Sequence, residues 1–172
     1  CWDKSTETFM QAEGNNRIVG YRYSKGWAKN QRIYFAVEFE KPFDSFELKG
    51  YKNMYGRASF GTTAGEEVML KVAISPVSIY GARLALESEL PDWDFEAVQA
   101  AAVEAWENEL ARIKVEINDL EQKKIFYTAM YHAMIAPMLF SDVNGNYRGA
   151  DDKVYYSDKP RYTCFSLWDT YR

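Results

Sequence analysis

Carboxylates have the widest chemical reach in this sequence, and one of them stands apart. In the closing stretch YTCFSLWDTYR, Tyr162–Arg172, Asp169 follows Trp168 inside an otherwise apolar run. A carboxylate in such surroundings must be paired, hydrogen-bonded or open to a cavity. Arg172 lies three residues on and could pair with Asp169 on a helix face. Trp168 and Asp169 together also make a minimal sugar contact, with a flat face for C–H groups and a two-oxygen acceptor for adjacent hydroxyls. Spacing alone leaves both readings open.

Other candidates reduce to structural roles. Asp92 and Asp94 flank Trp93 at the head of a helical pattern, where capping accounts for them. Asp142, Asn144 and Asn146 begin like a calcium loop, but Tyr147 stands where that loop needs glycine and Lys153 where it needs a bidentate glutamate. A polar-tipped hairpin around Asn144–Gly145 is expected instead, with Asp142 in a turn hydrogen bond. His132 is the single histidine, which excludes a multi-histidine zinc site within this chain, and amid apolar helix residues it reads as a core histidine. Cys1 and Cys164 lack metal-ligand spacing and are too few for a disulfide framework, so two unpaired thiols are expected. Neither a glycine-rich phosphate loop nor a Gly-x-Ser-x-Gly elbow occurs, and Cys164 and Ser166 have no histidine nearby in sequence.

Composition narrows the class. The 172 residues carry a net charge of -4 with acids and bases interspersed, so no basic stripe offers a path for nucleic-acid phosphates. Apolar runs break well short of the ~20 residues a membrane-spanning helix needs. Aromatic residues reach 16%, with 13 Tyr and 5 Trp, which suits sugar rings and also suits a plain core.

The elements that must position these residues follow from periodicity. RIYFAVEFEKPF alternates Ile33, Phe35, Val37 and Phe39 against Tyr34, Ala36 and Glu38, and FELKGY and EEVMLKVAIS repeat the pattern. Antiparallel strands over 30–80 are expected, with Phe35, Val37, Leu70 and Val72 facing a core; no helical crossover suggests a parallel sheet. From Pro91 the period changes. Phe95, Val98, Ala102, Trp106, Leu110 and Ile113 recur at steps of three or four, predicting a one-sided helix near 94–115. LEQKKIFYTAMYHAMIAP is apolar nearly all round from Ile125, predicting a second helix near 120–136, buried on most sides and ended by Pro137. A buried helix needs neighbours that this chain does not hold, so a partial chain is expected.

Four blocks carry a family with them: GYRYSKGWAKNQRIYFAVEFEKPF, PDWDFEAVQAAAVEAWENEL, EQKKIFYTAMYHAMIAPMLFSDVNGNYRG and YTCFSLWDTYR. In this order they resemble the α-mannosidases of glycoside hydrolase family 92. The resemblance implies a large, exported bacterial exo-glycosidase, calcium-dependent and inverting, in which an N-terminal antiparallel β-sandwich is joined by helices to a catalytic (α/α)6 barrel. On that plan residues 1–86 are the later part of the sandwich, 87–118 the linker helix and 119–172 the start of the barrel. Trp168 and Asp169 match the family's pair that contacts the terminal mannose. The general acid and base, and most calcium ligands, are expected beyond Arg172. Inversion requires two carboxyl groups about 6.5–9.5 Å apart across the scissile bond. The expected partner is a mannose-containing glycan, an N-glycan or mannan, attacked most plausibly at α-1,2 linkages, and the isolated chain is expected to be inactive. The other class in view is a non-catalytic carbohydrate-binding or scaffold protein.

Overall fold

The computed structural model describes residues 3–26, 28–51 and 53–163. Its elements fall into two compact units, one formed by residues 1–93 with 140–161 and the other by 94–139 with 162–172. Each has its own logic.

In the first unit β1 (Lys4–Glu13), β2 (Arg17–Lys25), β3 (Gln31–Phe39) and β6 (Leu70–Ser75) form an antiparallel sheet in the order β1-β2-β3-β6. Beside it β4 (Ser45–Lys49) and β5 (Tyr55–Ser59) make a separate antiparallel pair. The register aligns Val19 with Ala36 and Ala36 with Ala73, so three small or branched residues share one face. Against them packs α1 (Ile79–Glu89), a helix the strand pattern did not anticipate. Val19, Ala36, Ala82 and Leu86 form the buried cluster, with Ala73 and Ile79 at its margin. Small residues on the sheet let the helix approach closely, and burying Leu86 contributes roughly 1.5–3 kcal/mol.

The ends of α1 are defined by side chains. Ser78 caps the start, its Oγ accepting from the Gly81 amide at 3.0 Å. At the other end Lys71 reaches across from β6 and donates to the Leu90 carbonyl at 2.9 Å, placing a cation at the negative end of the helix. Further along the same sheet face the tyrosines satisfy one another. Tyr21 and Tyr23 stack at 4.5 Å, and the Tyr23 and Tyr34 hydroxyls lie 2.8 Å apart.

The expected core face is therefore corrected. Phe35 and Val37 are only half-buried, while Leu70 and Val72 remain about half exposed, at 53% and 49%. The alternation was right about two unlike faces, but α1 occupies the face with the smaller side chains. The bulkier face is covered in part by β4 and β5, where Thr8 accepts from the Met54 amide and Met10 lies against Gly56. Phe39, Phe43, Phe46 and Phe60 gather beside it in a chain of tilted and edge-on rings. The class stands as expected, an antiparallel sheet-rich domain followed by helices.

The remainder of this unit is the segment 140–161. Asn144–Gly145 does form a tight turn, closed by the Gly145 amide donating to the Asp142 carbonyl at 2.8 Å, with Gly145 at φ 81. It is not the tip of the main hairpin. That hairpin pairs β8 (Asn146–Arg148) with β9 (Val154–Tyr156) and turns at Gly149–Asp152, where Asp152 holds φ 65. Asn-Gly marked a turn, but the longer ladder formed where the strand residues lay.

In the second unit α2 (Phe95–Leu110) is capped by Asp94, whose Oδ1 accepts from Ala97 at 2.8 Å. Asp119 likewise caps α3 (Leu120–Met134) through Glu121 and Gln122. Trp106 and Tyr131 meet edge to face at 4.6 Å, and the Tyr127 hydroxyl donates to the Ile113 carbonyl at 3.2 Å. A short pair joins β7 (Met138–Leu139) to β10 (Tyr162–Thr163). Both helices begin within a residue of their expected positions. The expected burial of α3 fails: neither α2 nor α3 contains a buried residue, and Ile125 is 68% exposed. The described residues supply one neighbouring helix and no barrel closure, so the apolar surface of α3 has too little to pack against.

Candidate functional site

Trp168 and Asp169 lie outside the described residues, as do Cys1, Cys164, Ser166 and Arg172. The choice between sugar contact and Asp169–Arg172 pair stays where spacing left it. What the structure describes is the chain leading to them, and the fate of the other candidates.

His132 is exposed on α3 beside Tyr131, at 5.7 Å between rings, rather than enclosed as a core histidine. Asp92 is exposed and Asp94 is a cap. Asp142 is the departure, for it is only 8% exposed. Its Oδ2 accepts from the Ser75 hydroxyl at 2.8 Å, and Ser75 Oγ in turn accepts from the amides of Val77 at 2.9 Å and Ser78 at 3.2 Å. Burial pushes the Asp142 carboxyl above its ordinary range, the Ser75 hydrogen bond opposes that rise, and the charge of Glu89 adds to it. The carboxylate occupies the space that a Cβ at residue 81 would fill, 2.1 Å from its Oδ2, so only glycine fits there.

Arg148 makes the second tie between the same segments. It donates from Nε to the Pro76 carbonyl at 2.8 Å and from Nη2 to the Val77 carbonyl at 3.1 Å. Its Nη1 reaches the Asp152 carbonyl at 2.7 Å, closing its own hairpin. Downstream, Arg161 is held on several sides. Its amide donates to Ser141 Oγ at 3.2 Å, its carbonyl accepts from Phe140 at 2.7 Å, and its Nε donates to Ser157 Oγ at 3.1 Å. Its guanidinium also sits 5.4 Å from the centre of the Tyr147 ring.

Sequence reading missed Ser75, Gly81 and Arg148. The run S-P-V-S-I-Y-G-A-R-L-A-L held the signal, with Ser78 as a cap and Ile79, Ala82 and Leu86 at helical steps. Among the described residues no group of three or more His, Cys, Asp or Glu could hold a metal ion. The enclosed Asp142–Ser75 pair fastens two segments that lie 67 positions apart in sequence.

The profile of the glycosyl hydrolase family 92 catalytic domain matches residues 81–172, and that of the family's N-terminal domain matches residues 1–75. The chain belongs to glycosyl hydrolase family 92. It is similar to a family 92 α-mannosidase of Bacteroides thetaiotaomicron, at 34% identity and a TM-score of 0.92, over 99% of this chain and 26% of that one. The structure of that enzyme in complex with mannoimidazole aligns equally well, over 25% of its length. A family 92 inverting mannosidase of the same organism shares the fold at 24% identity and a TM-score of 0.76, over 94% of this chain and 24% of that one. A secreted glycosidase of Arthroderma benhamiae, itself uncharacterized, is 27% identical over 187 residues, covering 98% of this chain and 23% of that protein. The family 92 chain described here thus spans about a quarter of the length of the relatives it matches.

Proposed function

We propose that this chain is part of an inverting exo-α-mannosidase that removes terminal mannose, α-1,2-linked, from N-glycans or mannan. One observation carries the reading: the match to an α-mannosidase extends over 99% of the chain at 34% identity, and that relative's structure with mannoimidazole aligns as well. Within it Trp168 offers its ring to the C–H face of the terminal mannose and Asp169 accepts from two adjacent hydroxyls. The general acid and base are supplied by segments of the parent beyond Arg172, on opposite sides of the scissile bond with a water between one of them and the anomeric carbon. A calcium requirement belongs to the same proposal for the full-length parent. Among the described residues no group of three or more His, Cys, Asp or Glu could hold a metal ion; we place the ligands of calcium mostly in the parent beyond this chain, and no step is derived through it. Export of the parent fits the secreted relative; among the described residues no helix is long and apolar enough to cross a membrane.

The test is direct. The longer protein, with and without a calcium chelator, is given α-1,2-, α-1,3- and α-1,6-linked mannobiosides, and early products are followed by NMR. Release of β-mannose first, fastest from the α-1,2 linkage, is expected. Absence of mannose release overturns the assignment, and initial release of the α-anomer overturns inversion. The 172-residue chain alone should give no turnover, because neither catalytic carboxylate is in it.

A further inference from the structure

By sequence, residues 140–161 belong to the catalytic-domain match, which begins at residue 81. By packing, they belong to one compact unit with residues 1–93, the part that carries the sheet. The two domains are thus interleaved, and the fastening is polar. Asp142 and Ser75 are 67 positions apart in sequence, both nearly closed to solvent, and joined by one hydrogen bond of 2.8 Å. Arg148 adds two more bonds to the carbonyls of Pro76 and Val77, in the turn between β6 and α1. Polar groups enclosed in this way make a joint with one geometry, because sliding the segment by even one residue would leave a buried carboxylate and a buried hydroxyl unpaired.

What the joint holds is the start of the path to the sugar contacts. Arg161 is tied at its amide, carbonyl and guanidinium to Phe140, Ser141 and Ser157, within the same unit. Trp168 follows seven residues later, at most roughly 25 Å of extended chain. We infer that Asp142 and Arg148 are positioning residues, through which the sheet domain sets the starting point of the segment bearing Trp168 and Asp169. This rests on the proposed mannosidase reading and on the roles given to those two residues there. It assigns to the N-terminal domain a part in catalysis that needs no contact of its own with substrate: it fixes where a catalytic-domain strand begins.

The experiment attacks the joint from both sides in the full-length parent. Asp142→Ala removes the acceptor, whereas Asp142→Asn keeps an oxygen for the Ser75 hydroxyl. Gly81→Ala is a favourable change for a helix in itself, but its Cβ would displace the Asp142 carboxylate. On an aryl α-mannoside, well below the thermal midpoint, Asp142→Ala and Gly81→Ala are expected to lower kcat by roughly ten- to hundredfold, because the displaced sugar contacts no longer tighten in the transition state. Asp142→Asn should return kcat to within about threefold of the parent. Amide exchange over residues 142–157 should speed up in the first two variants and not in the third. Unchanged kcat in folded Asp142→Ala overturns the proposal, as does an Asn variant as impaired as Ala. Should Asp142→Ala fail to fold, Gly81→Ala and Asp142→Asn decide by the same criteria. If the parent does not cleave α-mannosides at all, the mannosidase reading has failed instead. Exchange over 142–157 then decides the joint, unchanged rates in Gly81→Ala overturning it and faster rates supporting it.

Discussion

Leu86 on α1 is 1% exposed, while Ile125 on α3 is 68% exposed, although α3 has the more continuous apolar surface. The first helix is short, opens beside a proline and carries a glycine in its first turn, yet it sits on Val19, Ala36 and Ala73. The second is longer and well capped, and among the described residues packs mainly against α2. The difference shows what an amphipathic pattern encodes. Periodicity states which side chains need cover, whereas cover itself depends on which other segments are near enough to provide it. In the family relatives about three quarters of the length lies outside the aligned part, which is ample material for the helical unit to pack against.

The largest effect is expected at Asp169, which lies outside the described residues. In the full-length parent, Asp169→Asn should keep the fold and lower kcat/KM by about ten- to hundredfold, since one charge-assisted acceptor is lost while side-chain size is retained. Kinetics and thermal midpoint on the same preparation check this. A lowered midpoint with normal kinetics would instead favour the Asp169–Arg172 pair.

The packing contrast can be sharpened within the 172 residues. Leu86→Ala should destabilise the sheet unit by about 2–5 kcal/mol, because its removal opens a cavity in the cluster around Val19 and Ala36. Ile125→Ala should change stability by less than about 0.5 kcal/mol in the same chain and by several times more in the full-length parent. Denaturant unfolding of these variants beside their unsubstituted chains checks it, and equal costs in the short chain would break the comparison.

Caps should act alike in α2 and α3, neither of which contains a buried residue. Asp94→Ala and Asp119→Ala each remove an acceptor at a helix start, at a cost of about 1 kcal/mol to the helix concerned. Circular dichroism of the short chain should lose helical signal in either variant. Loss of the sheet signal as well would show that the helices contribute more to the first unit than its buried cluster indicates.

The smallest effect concerns pH. Folding raises the Asp142 carboxyl above its ordinary value, mainly through burial. The folded state therefore binds its proton more tightly than the unfolded state does. The ionised group detracts from stability at neutral pH, and that loss is relieved as pH falls through the folded value towards the ordinary carboxylate range. Asp142→Asn carries no charge at any pH. Its stability relative to the parent chain should thus be higher at neutral pH than in acid, with Glu89 adding to the difference and the Ser75 hydrogen bond reducing it. Urea midpoints of the two chains at neutral and acidic pH give the sign, and a variant that gains in acid would contradict it.

Much was legible beforehand. The strands over Gln31–Phe39 and Leu70–Ser75 followed from alternation, and the change of period after Pro91 placed two helices within a residue of where they begin. The resemblance carried by four blocks led to the family that the domain profiles match. By contrast α1 was missed, because Ile79, Ala82 and Leu86 span only about two turns directly after a strand, too short a run to separate helix from strand by period alone. The Trp168–Asp169 pair was conspicuous in sequence, while Ser75, Gly81 and Arg148 were not and Asp142 stood out only as a turn residue, since their meeting spans about seventy positions.

By itself, then, the sequence determined the local matters: where strands alternate, where helices start, and which faces are apolar. These depend on a few neighbouring residues and on periods of two and 3.6, so they survive without knowledge of the rest. Tertiary structure alone decided which apolar face became the core and which carboxylate became buried. Val72 and Ala73 are adjacent and alternate equally well, and only the arrival of α1 made the smaller side chain's face the inside one. Asp142 reads as an ordinary turn residue until Gly81 leaves it a space and Ser75 gives it a proton donor. Burial and pairing are properties of distant segments meeting, and their free energy is set by contacts that no local window contains.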